Sequence, residues 1–256
     1  MAPVINNYFH QALHYFFPGN CFEELVVNLN VFDQKCSPLL VSRVLGALIT
    51  ICSAVLFVPQ ILKIYGAKSG AGISFWSQVL GLTAAAATAA YNYEKGFVFG
   101  QWGDSLFVAL QMIIIIMQIL WYANARPSAW AFMAWCWAMG SAIAYHYVPI
   151  NILSVLQTCT MPIIVVSKGL QIAANYEQGG TGQLSFVSVL LQFSGCLARV
   201  FTSIQETGDW LLIAPYILAS FLNGFIFAQI LYYGWRGLAS SKYKTVGASA
   251  AKKKRN

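Results

Sequence analysis

Residues 56–74 read LFVPQILKIYGAKSGAGIS, from Leu56 to Ser74. An apolar run meets Pro59 and Gln60, then Lys63 and Lys68, then a glycine-rich turn. A proline within a helix removes a backbone donor and clashes with the preceding turn. The carbonyl it frees near residue 55 needs another partner if the surroundings are lipid. The stretch reads as the end of one apolar helix, a basic turn, and a second helix opening at Ser74.

Composition makes lipid the expected solvent. The chain has 256 residues, 58% hydrophobic and 9% charged, where soluble domains carry about 25% charge. Apolar segments of about 20 residues without alternation predict helices rather than a barrel. The net charge is +7, but seven of the fifteen basic residues follow Trp235, so the charge belongs to a tail and predicts no nucleic-acid partner. Glu23, Glu24 and Asp33 interrupt the first apolar residues and no basic flank precedes them. The first hydrophobic segment therefore reads as an uncleaved signal.

Seven spans are predicted, at approximately 39–62, 73–93, 103–123, 128–148, 150–174, 184–204 and 211–235. Residues 1–38 form an amphipathic lead-in and 236–256 a polar, flexible tail. The turns after spans one, three and five hold Lys63, Lys68, Arg126 and Lys168, on the side of the basic tail. Only Glu177 opposes them, while the opposite side carries Glu23, Glu24, Asp33, Glu94, Asp104, Glu206 and Asp209 against Lys35, Arg43 and Lys95. The positive-inside rule predicts a cytosolic C-terminus and an N-terminus outside or in a lumen. Cys21 and Cys36 would then be free to pair if that compartment is oxidising; Cys52, Cys136, Cys159 and Cys196 lie in apolar segments, where they pack as small hydrophobes.

A single constant shift, the one that carries Gln60 onto Gln171, partly superposes the chain on itself. It places Gln60-Ile61 on Gln171-Ile172, Ser74-Phe75 on Ser185-Phe186, and Gln118-Ile-Leu-Trp-Tyr122 on Gln229-Ile-Leu-Tyr-Tyr233. Two three-helix units, 39–123 and 150–235, separated by a linker helix at 124–149, give an all-α 3+1+3 plan. The odd linker makes the repeats parallel, and such repeats enclose sites near the midplane.

Pro59-Gln60 at the end of a span, a basic turn, and Gly-x-Ser opening the next span resemble the PQ-loop signature, whose family includes the SWEET sugar carriers and shares the 3+1+3 plan. The second copy departs from it, with Leu170-Gln171 in place of Pro-Gln and Pro162 eight residues before Leu170. GAKSGAGIS at 66–74, NYEQGGTGQLS at 175–185 and LARVFTSIQETGD at 197–209 are similar to the mannose-P-dolichol utilization defect family. That resemblance implies a multi-pass protein of the endoplasmic reticulum. It would be required for using dolichyl-phosphate mannose and dolichyl-phosphate glucose as lumenal donors in N-glycan precursor, GPI-anchor and mannosylation reactions. It would act by scrambling or presenting the lipid-linked sugar. The alternatives are a SWEET-like carrier of a free small solute and a non-transport chaperone of lumenal glycosyltransferases. Lys253 and Lys254, at positions −4 and −3 from the end of the sequence, have dilysine retrieval spacing, a cytosolic address read by coat complexes.

Arg199 falls within or near the end of span six, where a charge is a functional candidate. It reads either as a phosphate ligand, since guanidinium binds phosphate bidentately, or as a structural ion pair with Glu206 or Asp104. Lys63 and Lys68 are candidates for a lipid phosphate, or ordinary cytosolic-side charge. Gln60, Gln171 and Asn223 head the amides that could meet a sugar, with interhelical hydrogen bonding as the other reading. Pro59 and Pro162 read as hinges or static kinks. Glu206, Thr207, Gly208 and Asp209 form a lumenal polar motif, and Asp104 with Glu206 or Asp209 is a candidate carboxylate pair. Nucleophile–base spacing, metal-ligand clusters and cofactor motifs are all missing from the sequence, so the expectation is a non-enzyme with neither metal nor cofactor.

Overall fold

The structure, a computed structural model, describes residues 13–70, 73–177, 179–180 and 186–253; the side chains of 174, 187, 188 and 235–253 lie outside it. Among the described residues the fold is all-α, without a strand. The helices are α1 Cys36–Ser53, α2 Val58–Ala67, α3 Phe75–Glu94, α4 Gly103–Tyr122, α5 Arg126–Ala144, α6 Ile150–Glu177, α7 Phe186–Glu206 and α8 Trp210–Lys253. Each predicted span meets one helix, except the first, which is divided between α1 and α2. By length and composition, Cys36–Ala67, α4, α6 and Trp210–Gly234 are apolar enough to cross a membrane. α3, α5 and α7, at 20, 19 and 21 residues, have the length of a crossing and dilute their apolar content with Ala, Gly, Ser and Thr. α8 continues as helix to Lys253 through residues expected as a flexible tail. Of the dilysine pair, Lys254 and the Lys253 side chain lie outside the described residues, as does Ser185 of the internal repeat.

The opening stretch folds differently from its reading. Pro59 does not sit near the end of a helix. α1 stops at Ser53, residues 54–57 turn, and α2 starts at Val58 with Pro59 in its first turn. There a missing N–H costs nothing, because first-turn donors have no intrahelical acceptor. The break leaves backbone groups at membrane depth, and one side chain answers both ends of it. Gln111 of α4 donates from Nε2 to the Ser53 carbonyl at 2.8 Å and accepts from the Phe57 N–H at 2.7 Å. Gln111 is 6% exposed, so these bonds have no water to replace them. α2 then ends at Lys68, which caps it in the left-handed conformation with φ 48°.

The chain divides into two compact units. The first takes Met1–Thr160 and Arg199–Ile213, the second Met161–Ala198 and Ala214–Asn256. In the first, α3 packs along α4, and Ala87, Ala89 and Ala90 of α3 are buried. Ala90, Tyr91 and Leu153 form a core covered by Ile143, Val148, Ile150 and Leu211. The lead-in is fastened by a Cys21–Cys36 disulfide, which packs with Leu25, Phe17 and Leu40. In the second unit, Val189, Ile226 and Ile230 form a core with Ile172 and Phe227, joining α6, α7 and α8.

Gln111→Leu is therefore expected to destabilise the protein by about 1–3 kcal/mol, the cost of leaving the Phe57 N–H unpaired away from water, read as a lowered Tm in detergent. Pro59→Ala is expected to shift Tm by only a degree or two, since its first-turn site favours proline (roughly 0.5 kcal/mol). A large loss from Pro59→Ala with none from Gln111→Leu would contradict this account of the break.

Candidate functional site

α7 carries polar residues at helical spacing: Gln192, Cys196, Arg199, Ser203 and Glu206 repeat at intervals of four and three and so share one face. A polar stripe along an intramembrane helix has to be met by partners, and its two ends are met differently.

Toward Glu206, within the first unit, the partners form a closed lattice. Arg199 is 4% exposed. Its Nη1 donates to the Gly100 carbonyl at 2.7 Å, and Nη2 lies 2.7 Å from Asp104 Oδ1. That second approach is off the hydrogen-bond direction, so the atoms form an ion pair while Arg199 Nε and Nη2 have no hydrogen-bond acceptor among the described residues. Gly100 belongs to a 3₁₀ turn, Phe99–Gln101, pressed against α1 and the lead-in. A Cβ on Gly100 would lie 2.5 Å from the Tyr15 hydroxyl, so a larger residue there would have to displace the Tyr15 ring. Glu206 is taken by Arg43 at 2.7 Å and by the Ser42 hydroxyl at 3.2 Å. Arg43 also donates to the Tyr15 carbonyl at 2.7 Å. Burial raises the Tyr15 phenol above its ordinary pKa, with the Arg43 charge opposing the shift. Asp209 accepts from the Tyr91 hydroxyl at 2.7 Å, and Lys95 approaches the same carboxylate at 3.5 Å. Thr207 donates to the Ser203 carbonyl, and Gly208 turns the chain with φ 62°. Asp104, Glu206 and Asp209 thus each have partners of their own. Of the readings open for Arg199, the structure supplies the ion pair with Asp104, not Glu206.

Toward Gln192, within the second unit, the stripe meets Lys168. The charge pattern assigns Lys168 to the turn after span five. It lies instead inside α6, nine residues before Glu177, about 13 Å of helix rise from that end. Its Nζ donates to Gln192 Oε1 at 2.8 Å. One turn along α7, Cys196 Sγ accepts from Asn223 Nδ2 at 3.4 Å. Asn223 is 3% exposed, and its Oδ1 has no hydrogen-bond partner among the described residues. Counting Lys168 as loop charge hides it as a candidate. Its spacing from the α6 end is the signal that could have found it.

On the adjacent faces of α7 and α8, Phe193, Leu197, Ser220, Gly224 and Phe225 line an open apolar groove of about 520 Å³. Gln192 and Phe193, Cys196 and Leu197, and Asn223 and Gly224 are chain neighbours, so polar set and groove lie side by side. The other sequence candidates are elsewhere. Lys63 and Lys68 are exposed and make no ion pair among the described residues. Gln60 and Gln171 are half-buried on α2 and α6. Pro162 lies inside α6.

Each half makes the same interhelical hydrogen bond. Gln118 Nε2 donates to the Ile61 carbonyl at 3.2 Å, and Gln229 Nε2 donates to the Ile172 carbonyl at 3.0 Å. The shift that carries Gln60 onto Gln171 carries both partners of the first bond onto those of the second. Compared with known families, residues 41–101 match the PQ-loop repeat, and residues 152–212 match it again. The chain carries two PQ-loop repeats. The same shift takes each boundary of the first match to that of the second, 41 to 152 and 101 to 212, so the matches and the recurring bond share one register. Each match covers the first two helical segments of its repeat, and the Gln118 and Gln229 bonds attach the third helix.

Arg199→Leu is expected to lower stability by about 3–5 kcal/mol, because it strands the Asp104 carboxylate. The double variant Arg199→Leu/Asp104→Leu should recover part of that loss. Thermal unfolding in detergent checks both. A single variant as stable as the native chain would remove the ion pair from the account.

Proposed function

We propose that this protein works in the endoplasmic-reticulum membrane to make dolichyl-phosphate mannose and dolichyl-phosphate glucose usable as lumenal sugar donors, by moving or presenting the lipid-linked sugar. The observation that carries this reading is the open apolar groove on α7 and α8 beside an intramembrane ammonium and amides. A lipid-linked sugar presents hydrocarbon, a phosphate and hydroxyls together, and these surfaces complement all three. A carrier of a free polar solute has no need of an apolar groove open at its side. The choice of dolichol as the lipid rests on resemblance in GAKSGAGIS, NYEQGGTGQLS and LARVFTSIQETGD. On this reading the role is non-enzymatic and needs neither metal nor cofactor. Lumenal glycosyltransferases receive the presented donor, and coat complexes read the Lys253–Lys254 tail.

The topology that goes with this reading has a lumenal N-terminus and a cytosolic C-terminus. Charge placement supports it, and so does the Cys21–Cys36 bond, which suits an oxidising lumen.

Two measurements test the reading. Purified protein in liposomes carrying a dolichyl-phosphate-mannose analogue should accelerate its transbilayer movement at least tenfold over protein-free liposomes; equal rates would sink movement as the mechanism and leave presentation. Non-reducing peptide mapping of protein from microsomes should recover Cys21 and Cys36 linked. Free thiols at both positions would count against the lumenal N-terminus.

A further inference from the structure

The polar set at Lys168 has a built-in comparison in the other repeat. In the repeat register, Lys168, Gln192, Cys196 and Asn223 correspond to Phe57, Gly81, Ala85 and Met112. Two of these meet in the first repeat, where a Cβ on Gly81 would lie 2.8 Å from Met112 Cε. The repeat therefore packs this location with apolar groups when packing is all that is required. The second repeat puts an ammonium, a thiol and two amides at the same four positions.

Those groups are also underused. An ammonium has three donors, and contacts among the described residues employ one, to Gln192 Oε1. Asn223 Oδ1 is buried without a hydrogen-bond donor among the described residues. A cation held within a membrane span faces a partner or a polar cavity rather than lipid tails. Here the described partner, Gln192, is neutral, in contrast to Arg199, which has Asp104. The uncompensated positive charge calls for an anion, and the adjoining groove calls for hydrocarbon.

We propose that Lys168, Gln192, Cys196 and Asn223 form a binding site for a lipid phosphate, with the phosphate on Lys168 and its hydrocarbon chain in the Phe193–Leu197–Gly224 groove. Gln192 donates to the phosphate or to a hydroxyl beside it. Asn223 Oδ1 accepts from a ligand hydroxyl. Gly224 keeps the groove floor low, since a Cβ there would lie 3.2 Å from the Phe193 ring. The identity of the lipid as a dolichyl-phosphate sugar rests on the function proposed above, whereas the site itself rests on the charge, the free acceptor and the groove.

The test uses the full chain in nanodiscs and four probes: a diazirine-bearing mannosyl isoprenyl phosphate, phosphatidate of matched chain length, the uncharged isoprenol, and inorganic phosphate. The mannosyl probe should label α7 and α8 peptides containing Phe193, Leu197 or Phe225. Lys168→Gln should weaken its binding about tenfold or more, and Lys168→Arg should restore most of it, because the charge is kept. Isoprenol binding should be unchanged by either variant. Equal affinity of native and Lys168→Gln protein, with matching Tm, would overturn the site. So would labelling confined to other helices, which can be read on the native chain even if the variant fails to fold. Inorganic phosphate binding as tightly as the lipid would overturn the groove's part. Phosphatidate binding as tightly as the mannosyl probe, with the same Lys168 dependence, would uphold a lipid-phosphate site and count against the sugar-donor reading. Transbilayer movement that persists undiminished in Lys168→Gln would do the reverse.

Discussion

A guanidinium buried in a membrane protein has to be neutralised and hydrogen-bonded where it stands, and Arg199 organises the first unit by this requirement. Its partners come from one short stretch distant from it in sequence, the Gly100 carbonyl of the 3₁₀ turn and the Asp104 carboxylate at the start of α4. Both have to be held still for the pair to form. Gly100 packs beside the Tyr15 hydroxyl, which a Cβ there would displace, and Tyr15 is itself tied to Arg43, which is tied to Glu206. The lattice thereby returns to α7, the helix on which it began. In the segment 197–209, Arg199, Ser203, Glu206 and Asp209 each meet a side chain of another element, and Thr202 and Thr207 donate to backbone carbonyls of α7. The segment's composition reflects structural satisfaction as much as any contact with a ligand.

The same physical demand explains what repeats and what does not. A third-helix glutamine donating to a first-helix carbonyl recurs in the repeat register because it fastens the triple-helix unit in each half. An interhelical bond of this type in lipid contributes about 0.6–2 kcal/mol. Neither half therefore depends on it alone, yet the register is preserved at both ends of the pair. Charge is not repeated. Arg199 has Thr88 as its counterpart and Lys168 has Phe57, so both intramembrane cations of α6 and α7 belong to the second copy.

Much of this was legible in the sequence, for identifiable reasons. The helical spans followed from apolar runs of the right length, since lipid tolerates little else. The repeat followed from Gln, Ser and Tyr matches, which chance does not place at one offset as readily as Leu and Ile. Three things were not legible. The break at residues 54–57 was hidden because Pro59 restricts where a helix may begin without saying where the previous one ends; the decisive residue, Gln111, lies on another helix. The partner of Arg199 is undecidable from sequence because Glu206 is offered by helical spacing and Asp104 by lying on the same side of the membrane, and Arg43 takes Glu206. Lys168 was misread because one charge near a span end follows the positive-inside pattern whether it snorkels to water or stays inside.

The broken helix of the first repeat and the free amides of the second are two outcomes of one substitution. In the first copy Pro59 starts a new helix, the turn before it leaves the Phe57 N–H without a backbone acceptor and the Ser53 carbonyl with only the Leu56 N–H, and the Gln111 side chain is consumed in bonding both. In the second copy Leu170 stands where Pro59 does, α6 runs unbroken through the equivalent turn, and no backbone group there asks for a side-chain partner. The residue opposite is accordingly Leu222 in place of Gln111, and the polar side chains that remain, Asn223 beside it and Lys168 at the position of Phe57, are released from repairing the backbone. An unbroken α6 has no backbone break that calls for the Lys168 ammonium, and the buried Asn223 oxygen of α8 meets no donor among the described residues. Their presence at this location is what separates the second repeat from a second copy of the scaffold.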